Sequence, residues 1–125
     1  VDRVDRLQAR ESLTGPERRP RASRLAGRAE RLRCLESGRR QRMKLLEFVW
    51  LDNLTGHPRM GLIVPKFQST AVARNRLRRR LSEIWRREVQ DRQGGRDLVV
   101  RARLSAYRAS FTDLRGEMVA WVESL

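Results

Sequence analysis

The sequence predicts one small domain of the α/β class, an α+β sandwich in which helices cover a small mixed sheet. Three observations support this prediction. Short runs of aliphatic and aromatic residues have the length of strands, and longer segments repeat their apolar residues at helical spacing. The 125 residues suffice for one core and are too few for two. Facing a sheet with helices is the economical way to bury both kinds of apolar face.

The first part of the chain predicts an arm followed by a short helix. Residues 1–22 mix charges with Gly15, Pro16 and Pro20, which is typical of a basic, mostly disordered arm. The folded domain is expected to span residues 23–125. From Arg24 a helix is expected to run to about Gly38, because apolar residues recur there at helical spacing. Its apolar face would consist of Leu25, Ala29, Leu32 and Leu35.

Three segments read as strands. Residues 44–51 (KLLEFVWL) and 59–64 (RMGLIV) are rich in apolar residues, and Pro65 ends the second run. Because the loop between them is short, these two strands are expected to pair as a hairpin. A Gly-Gly turn precedes the third strand, residues 97–103 (DLVVRAR).

Two further helices follow from periodicity and capping residues. The stronger one covers residues 70–90, with Ser69 or Thr70 as its N-cap. At 100° per residue, one side of it carries a core-facing stripe. This stripe is Ala73, Leu77, Leu81, Ile84 and Trp85. The last helix begins with a capping-box pattern at residues 110–113. Its expected core residues are Phe111, Leu114, Met118, Trp121, Val122 and Leu125.

The charge of the chain indicates a polyanionic partner. There are 29 basic and 15 acidic residues, a net charge of +14, and all the basic residues except Lys44 and Lys66 are arginine. Such a charge favours nucleic acid or an anionic membrane. No segment approaches the roughly 20 apolar residues of a membrane span. Cys34 is the only cysteine, which fits a reducing cytosol. The expected location is cytoplasmic, because the sequence shows neither a membrane span nor a secretory signal.

Arginines dominate the other side of the helix at residues 70–90. Seven of them lie between Arg74 and Arg87, against the single acid Glu83. Like charges three or four residues apart cost a helix about 0.2–0.5 kcal/mol each, and cations near its start oppose the dipole. Solvated faces normally mix signs. The arrangement therefore predicts a surface that binds phosphates, with the Ser69 and Thr70 hydroxyls as further donors.

The run AVARNRLRRR at residues 71–80 resembles the signature of the ribonuclease P protein family, whose core is Arg-Asn-Arg followed by further basic residues. The Gly-containing strand and basic loop before it and the strand and helix after it are similar too. The resemblance implies the order α-β-β-β-α-β-α with a left-handed β-α-β crossover. It implies a ribonuclease P subunit that binds the catalytic RNA and precursor tRNA, a monomer within a ribonucleoprotein that removes the tRNA 5′ leader. The RNA-facing residues carried over are Lys66, Arg74, Asn75, Arg76, Arg78, Arg79 and Arg80.

The resemblance also implies a cleft between the first helix and the sheet that contacts the 5′ leader. Its candidate residues are Arg31, Leu35, Phe48, Val49, Trp50 and Phe67. Arg31, Leu35 and Val49 stand where relatives usually have aromatic residues, so stacking on the leader is in question. Phe67 either offers a base a stacking surface or packs inward.

No catalytic constellation is apparent in the sequence. His57 is the only histidine, and the carboxylates of Glu47, Asp52, Glu83 and Asp97 lie on different elements and are expected at the surface. No cofactor is expected in the protein, and Mg²⁺ would be bound by the partner RNA. Two alternatives stay open: a ribosomal or other structural RNA-binding protein of similar fold, and a DNA-binding domain. The second is disfavoured because few base-reading side chains accompany the arginines.

Overall fold

The structure is a computed structural model that describes residues 21–25 and 27–125. Residues 1–20, most of the predicted arm, lie outside the described residues, and Arg21–Ser23 form one 3-10 turn. The elements that follow are α1 (Arg28–Ser37), β1 (Arg39–Arg42), β2 (Leu46–Asp52), β3 (Arg59–Ile63), α2 (Ala71–Ile84), α3 (Gln90–Gln93), β4 (Arg96–Ala102) and α4 (Phe111–Glu123). A π-helical segment, Trp85–Val89, joins α2 to α3, so that residues 71–93 form one continuous helix, called the arginine helix below. With this helix counted once, the order is the predicted α-β-β-β-α-β-α.

The four strands form one mixed sheet in the order β1-β2-β4-β3. β2 pairs antiparallel with β1 and with β4, and β3 pairs parallel with β4. The predicted hairpin of the second and third strands is therefore wrong, because β4 lies between them. The loop 53–58 spans the end of β4, where the Asn53 N–H donates to the Gly95 carbonyl at 2.9 Å. The left hand of the β3–helix–β4 crossover stays a prediction from the resemblance.

The larger core lies between the sheet and the helices on one of its faces. Of the predicted stripe on the arginine helix, Leu77, Leu81, Ile84 and Trp85 are at most 3% exposed, and Ala73 is half-buried. The predicted core residues of α4 are buried as well, with two exceptions. Phe111 is 38% and Leu125 is 42% exposed. One is the first residue of the helix and the other lies beyond its end, so the helical repeat does not direct either side chain into the core.

The π-helical segment keeps one side of the arginine helix on the core over its whole length. Five residues at intervals of four are buried: Leu77, Leu81, Trp85, Val89 and Gln93. In a regular α-helix each interval of four drifts by about 40° from the core, and the wider π turn offsets this drift. Trp85 Nε1 consequently donates to Gln93 Oε1 at 2.7 Å inside the core. Gln93 Nε2 donates to the carbonyls of Arg59 and Arg96, which ties the helix to β3 and β4.

The smaller core lies on the opposite face, beneath α1, and consists of Leu25, Cys34, Val49 and Val99. The first helix begins at Arg28, later than predicted, and Leu32 is 45% exposed. The reason is that the chain reaches the helix in an extended form. The Leu25 N–H donates to the Met60 carbonyl at 3.1 Å, and Arg24 forms a β-bridge with Met60. The helical repeat assumed from Leu25 therefore does not apply, and Cys34 is the buried residue of the helix.

An ion-pair network holds α1 against the sheet. Arg59 Nε and Nη2 donate to the two carboxylate oxygens of Asp97 at 2.8 and 2.9 Å, and its Nη1 donates to Glu30 at 2.9 Å. Asn53 Nδ2 also donates to Asp97 at 2.9 Å. Asp97 is 6% exposed, so its expected surface location is wrong. The hydrogen bonds that Arg59 donates to Asp97 raise the pKa of the Arg59 guanidinium above its ordinary value. Burial opposes this effect and the bond to Glu30 adds to it.

Candidate nucleic-acid interface

The loop that leads into the arginine helix is held in place by its backbone carbonyls. Arg74 Nε donates to the Val64 carbonyl at 2.8 Å, and the Tyr107 hydroxyl donates to the Pro65 carbonyl at 2.6 Å. Arg74 is half-buried as a result. It therefore has a structural contact in addition to its predicted role as an RNA-facing residue. Neither the Arg74 bond nor the contribution of Tyr107 was predicted from the sequence.

Two hydroxyls at the start of the helix have different partners. Thr70 is the N-cap, since its Oγ accepts from the Ala73 N–H at 3.1 Å. Ser69 Oγ donates to the Lys66 carbonyl at 2.5 Å, which also accepts from the Ser69 N–H. The predicted donation of the Ser69 hydroxyl to a phosphate is thus not available in this conformation. Lys66 is exposed at the outer side of the loop.

The arginines of the helix divide into two groups by their partners. Glu83 accepts ion pairs from Arg86 at 3.1 Å and from Arg87 at 2.5 Å, both in the second half of the helix. In the first half, none of the five arginines forms an ion pair with an acid in the described part of the chain. Arg74 is held by the Val64 carbonyl, and the other four are Arg76, Arg78, Arg79 and Arg80. Asn75, Arg76 and Arg79 are exposed, and Arg78 and Arg80 are half-buried. Uncompensated positive charge is thus concentrated next to the Lys66 loop.

The basic surface extends from this helix to α1. The pKa of the Arg78 guanidinium is lowered, first by partial burial and then by the charges of Arg74 and Arg31. Arg31 belongs to α1 and lies over β3, where a Cβ built on Gly61 would stand 3.4 Å from its Cδ. Because like charges raise each other's free energy, a polyanion bound near Arg78 would be stabilised by all three arginines.

The cleft between α1 and the sheet differs from the prediction. Side chains alternate along a strand, so Phe48 and Trp50 lie on the other face, where both rings contact Trp121 at centroid distances of 5.5 Å. Their assignment to the cleft is wrong, because three consecutive apolar residues do not indicate which of them faces α1. Val49 faces α1 but is 1% exposed, so it forms part of the small core. Arg31 and Leu35 are half-buried on α1.

A charged row crosses the same face of the sheet farther along the strands. Glu47 is paired in register with Arg42 of β1 and with Arg101 of β4, and Arg101 is paired with Ile63 of β3. The two arginines are exposed and the other two residues are half-buried. Surface available to a ligand on this face is therefore mainly basic, with no aromatic side chain among these four. The register that brings them together could not be read from the sequence.

The remaining candidate residues have structural contacts. Phe67 lies in the loop before the arginine helix, with its ring edge-on to Tyr107 at 6.1 Å and 45% of its surface exposed. His57 is in a loop, as predicted, with Nε2 2.9 Å from the Ala22 carbonyl. Burial, aided by the Asp97 charge, raises the pKa of the Cys34 thiol to about 11.

Among the described residues, no three His, Cys, Asp or Glu side chains are grouped so as to hold a metal ion. No helix within the same residues is long and apolar enough to cross a membrane.

Comparisons with known proteins agree with the motif. The family model described as Ribonuclease P matches residues 20–125. A "Ribonuclease P protein component" of Syntrophobacter fumaroxidans is 39% identical over 90 residues, which cover 70% of this chain and 75% of that protein. One from Xanthomonas campestris is 34% identical over 110 residues, covering 86% of this chain and 73% of that protein. One from Kocuria rhizophila is 44% identical over 61 residues, covering 48% and 54%.

Solved structures support the same fold. The RNase P protein of Staphylococcus aureus aligns with a TM-score of 0.71 at 23% identity, covering 83% of this chain and 94% of that one. The RNase P protein of Thermotoga maritima aligns with a TM-score of 0.73 at 24% identity, covering 82% and 96%. These likenesses establish the mixed α+β fold, and the sequence matches establish the kinship. The chain belongs to the family of bacterial ribonuclease P protein components.

Proposed function

We propose that this protein is the subunit of a ribonuclease P ribonucleoprotein that binds the catalytic RNA and precursor tRNA, and so assists endonucleolytic removal of the 5′ leader. The observation that carries the proposal is the group Arg76, Arg78, Arg79 and Arg80 in the first half of the arginine helix, none of which pairs with an acid among the described residues. A folded protein gains nothing from holding these charges together, whereas RNA phosphates offset their repulsion.

In this proposal the protein supplies electrostatics and positioning, and the chemistry belongs to the RNA. Mg²⁺ bound by the RNA would assist the hydrolysis, and the protein would have no catalytic residue. Arginines at the junction of two RNA molecules neutralise phosphates that otherwise need additional cations. The subunit would therefore lower the Mg²⁺ concentration needed for cleavage. It would act in the cytoplasm, as a monomer within the ribonucleoprotein.

The charged row beside α1 would be the surface nearest to the 5′ leader. Its exposed arginines, Arg42 and Arg101, can contact phosphates but cannot provide the stacking surface of an aromatic ring. Contacts with the leader would then depend on its length and charge more than on its bases. The half-buried Arg31 connects this surface with the arginine helix.

A reconstitution assay tests the proposal. A bacterial ribonuclease P RNA would cleave precursor tRNA at low Mg²⁺ with and without the protein, and stimulation at the correct 5′ site is expected. The variant with Arg76→Ala and Arg79→Ala should stimulate less than the variant with Arg86→Ala and Arg87→Ala, whose arginines already share Glu83. Tight RNA binding without any stimulation would instead favour a ribosomal or other structural role.

A further inference from the structure

Next to the start of the arginine helix is a pocket at the end of the sheet where β3 and β4 finish. It encloses about 780 Å³ between the loop before the arginine helix and the 3-10 turn Leu104–Arg108. Its lining includes Gln68, Arg103, Leu104, Tyr107 and Arg108. This volume lies in the range of small-molecule sites, about 300–1,000 Å³. The pocket is thus large enough for one nucleotide.

The walls combine cations with exposed apolar surface. Arg108 is exposed and forms no ion pair with any acid that the structure describes. Arg103 is held by Nη1, which donates to the Met43 carbonyl at 2.8 Å, so its guanidinium is already ordered before a ligand arrives. Leu104, between these arginines in the sequence, is 63% exposed. Such a mixture suits a ligand that carries both a phosphate and a flat apolar face.

Phe67 stands beside this pocket in a conformation that folding alone does not favour. Its φ is +49°, in a turn closed by the Ser69 N–H and the Lys66 carbonyl at 3.0 Å. Positive φ is uncommon outside glycine and is a marked outlier for a bulky residue. Backbone strain of this kind is concentrated at functional sites. Although the conformation is costly, Phe67 stays 45% exposed.

The contacts of Phe67 connect it to the pocket walls. Gln68, the next residue, lines the pocket, and so does Tyr107, whose ring stands perpendicular to that of Phe67 at a centroid distance of 6.1 Å. The Tyr107 hydroxyl is fixed by its bond to the Pro65 carbonyl. A partly exposed aromatic ring beside a pocket that is lined by two arginines combines the two features by which proteins bind single-stranded bases, a stacking surface and positive charge.

We infer that this pocket binds one nucleotide of single-stranded RNA, with the base against Phe67 and Leu104 and the phosphate against Arg103 and Arg108. The inference rests on the proposed RNA-binding function and adds a site to it. Ser69 lines the pocket and directly precedes the N-cap of the arginine helix. An RNA strand bound to the arginines of the helix could therefore continue directly into the pocket. A double-stranded segment could not use it, because its bases are not free to leave the stack.

Binding of three labelled probes to the full chain tests the inference. The probes are a ten-nucleotide oligouridylate, an abasic oligomer with the same number of phosphates, and a blunt RNA duplex. Phe67→Ala is expected to weaken oligouridylate binding about 5- to 150-fold, the loss of one stacked base, and to leave the other two affinities unchanged. Phe67→Trp, which keeps a ring, should retain oligouridylate binding.

Matched controls separate this site from the rest of the surface. Leu104→Ala should also weaken oligouridylate binding, whereas Leu54→Ala, which alters a 96% exposed leucine at the other end of the sheet, should not. Thermal melting checks that each variant is folded, and if Phe67→Ala does not fold, Leu104→Ala carries the test.

Equal losses of affinity for the uridylate and abasic probes, or no loss for either, would overturn the inference of a nucleotide pocket. If the wild-type chain binds neither single strands nor duplex, the proposed RNA-binding function fails as well. A third outcome is that the variant at Arg76 and Arg79 binds every probe more weakly while the Phe67 and Leu104 variants bind all of them as the wild type does. In that case the RNA-binding function stands and the nucleotide pocket does not.

Discussion

Replacing both Arg76 and Arg79 with Ala should weaken binding to a ribonuclease P RNA and reduce its salt dependence, without loss of stability. Both side chains are exposed, and neither forms an ion pair with a described acid. They lie three residues apart, so removing their repulsion should raise helix stability by a few tenths of a kcal/mol, if it changes at all. Arg74 is unsuitable for this test because its guanidinium holds the Val64 carbonyl.

The size of the effect follows from counterion release. Each phosphate contact contributes about 0.7–0.9 to the slope of log affinity against log salt concentration. If Arg76, Arg78, Arg79 and Arg80 each meet one phosphate, affinity should fall about 50- to 150-fold between 50 and 200 mM salt. With two contacts removed, the fall should be about 7- to 12-fold.

Filter binding with a bacterial ribonuclease P RNA, over a series of salt concentrations, measures these slopes. The control variant replaces Arg86 and Arg87, which lie on the same helix but share Glu83. Its slope should stay closer to that of the wild type. Equal slopes for the two double variants would refute the division of the helix into paired and unpaired arginines. A large drop in melting temperature for the first variant would mean that its arginines are structural.

Three further predictions concern the fold. Leu81→Ala, at a fully buried site, should lower the free energy of unfolding by about 2–5 kcal/mol. The control Val72→Ala, at a 67% exposed site, should lower it by less than about 0.5 kcal/mol. Urea unfolding measures both changes. Asp97→Asn removes the buried carboxylate that accepts two hydrogen bonds from Arg59, leaves only the more exposed Glu30 as its partner, and should cost about 3 kcal/mol by the same assay. An equally small loss for Asp97→Asn and for the exposed Asp52→Asn would contradict the structural role of the pair. Burial raises the Cys34 pKa from 9.0 to about 11, so the unfolded chain loses the thiol proton at a lower pH than the folded protein does. The free energy of unfolding should therefore be unaffected below pH 9 and should fall as the pH rises towards 11, by up to about 3 kcal/mol. Comparing Cys34→Ala with the wild type at pH 8 and pH 11 isolates this effect, and a constant difference between the two proteins would contradict it.

The arginine helix was the part most open to prediction, because its determinants are local. Spacing of apolar residues by three and four indicates a buried side whatever that side packs against, and Thr70 caps the helix through a bond to a residue three positions away. The compensating π turn could not be predicted in the same way. It depends on Gln93 meeting Trp85 and two strand carbonyls inside the core.

The sheet and the cleft were predicted less well, because strand pairing joins residues far apart in the chain. The short loop after β2 is compatible with a hairpin, yet β4 pairs with both β2 and β3 and brings Leu98 and Val100 into the larger core. The run Phe48, Val49, Trp50 is apolar at every position, so period-two alternation gave no sign of its orientation. Only the position of α1 above Val49 and of Trp121 beside the other two decides it.

By itself, the sequence determined that this protein is strongly basic, has a helix whose outer side carries mainly arginines, and contains the Arg-Asn-Arg signature of its family. These are properties of composition and local periodicity, which survive any arrangement of the remaining chain. The tertiary structure alone decided which helix arginines pair with an acid among the described residues, that Arg74 supports the loop before the helix, and that Phe67 adjoins a basic pocket. The physical reason is that a charge or a ring becomes available to a ligand only after long-range packing has given other side chains their partners.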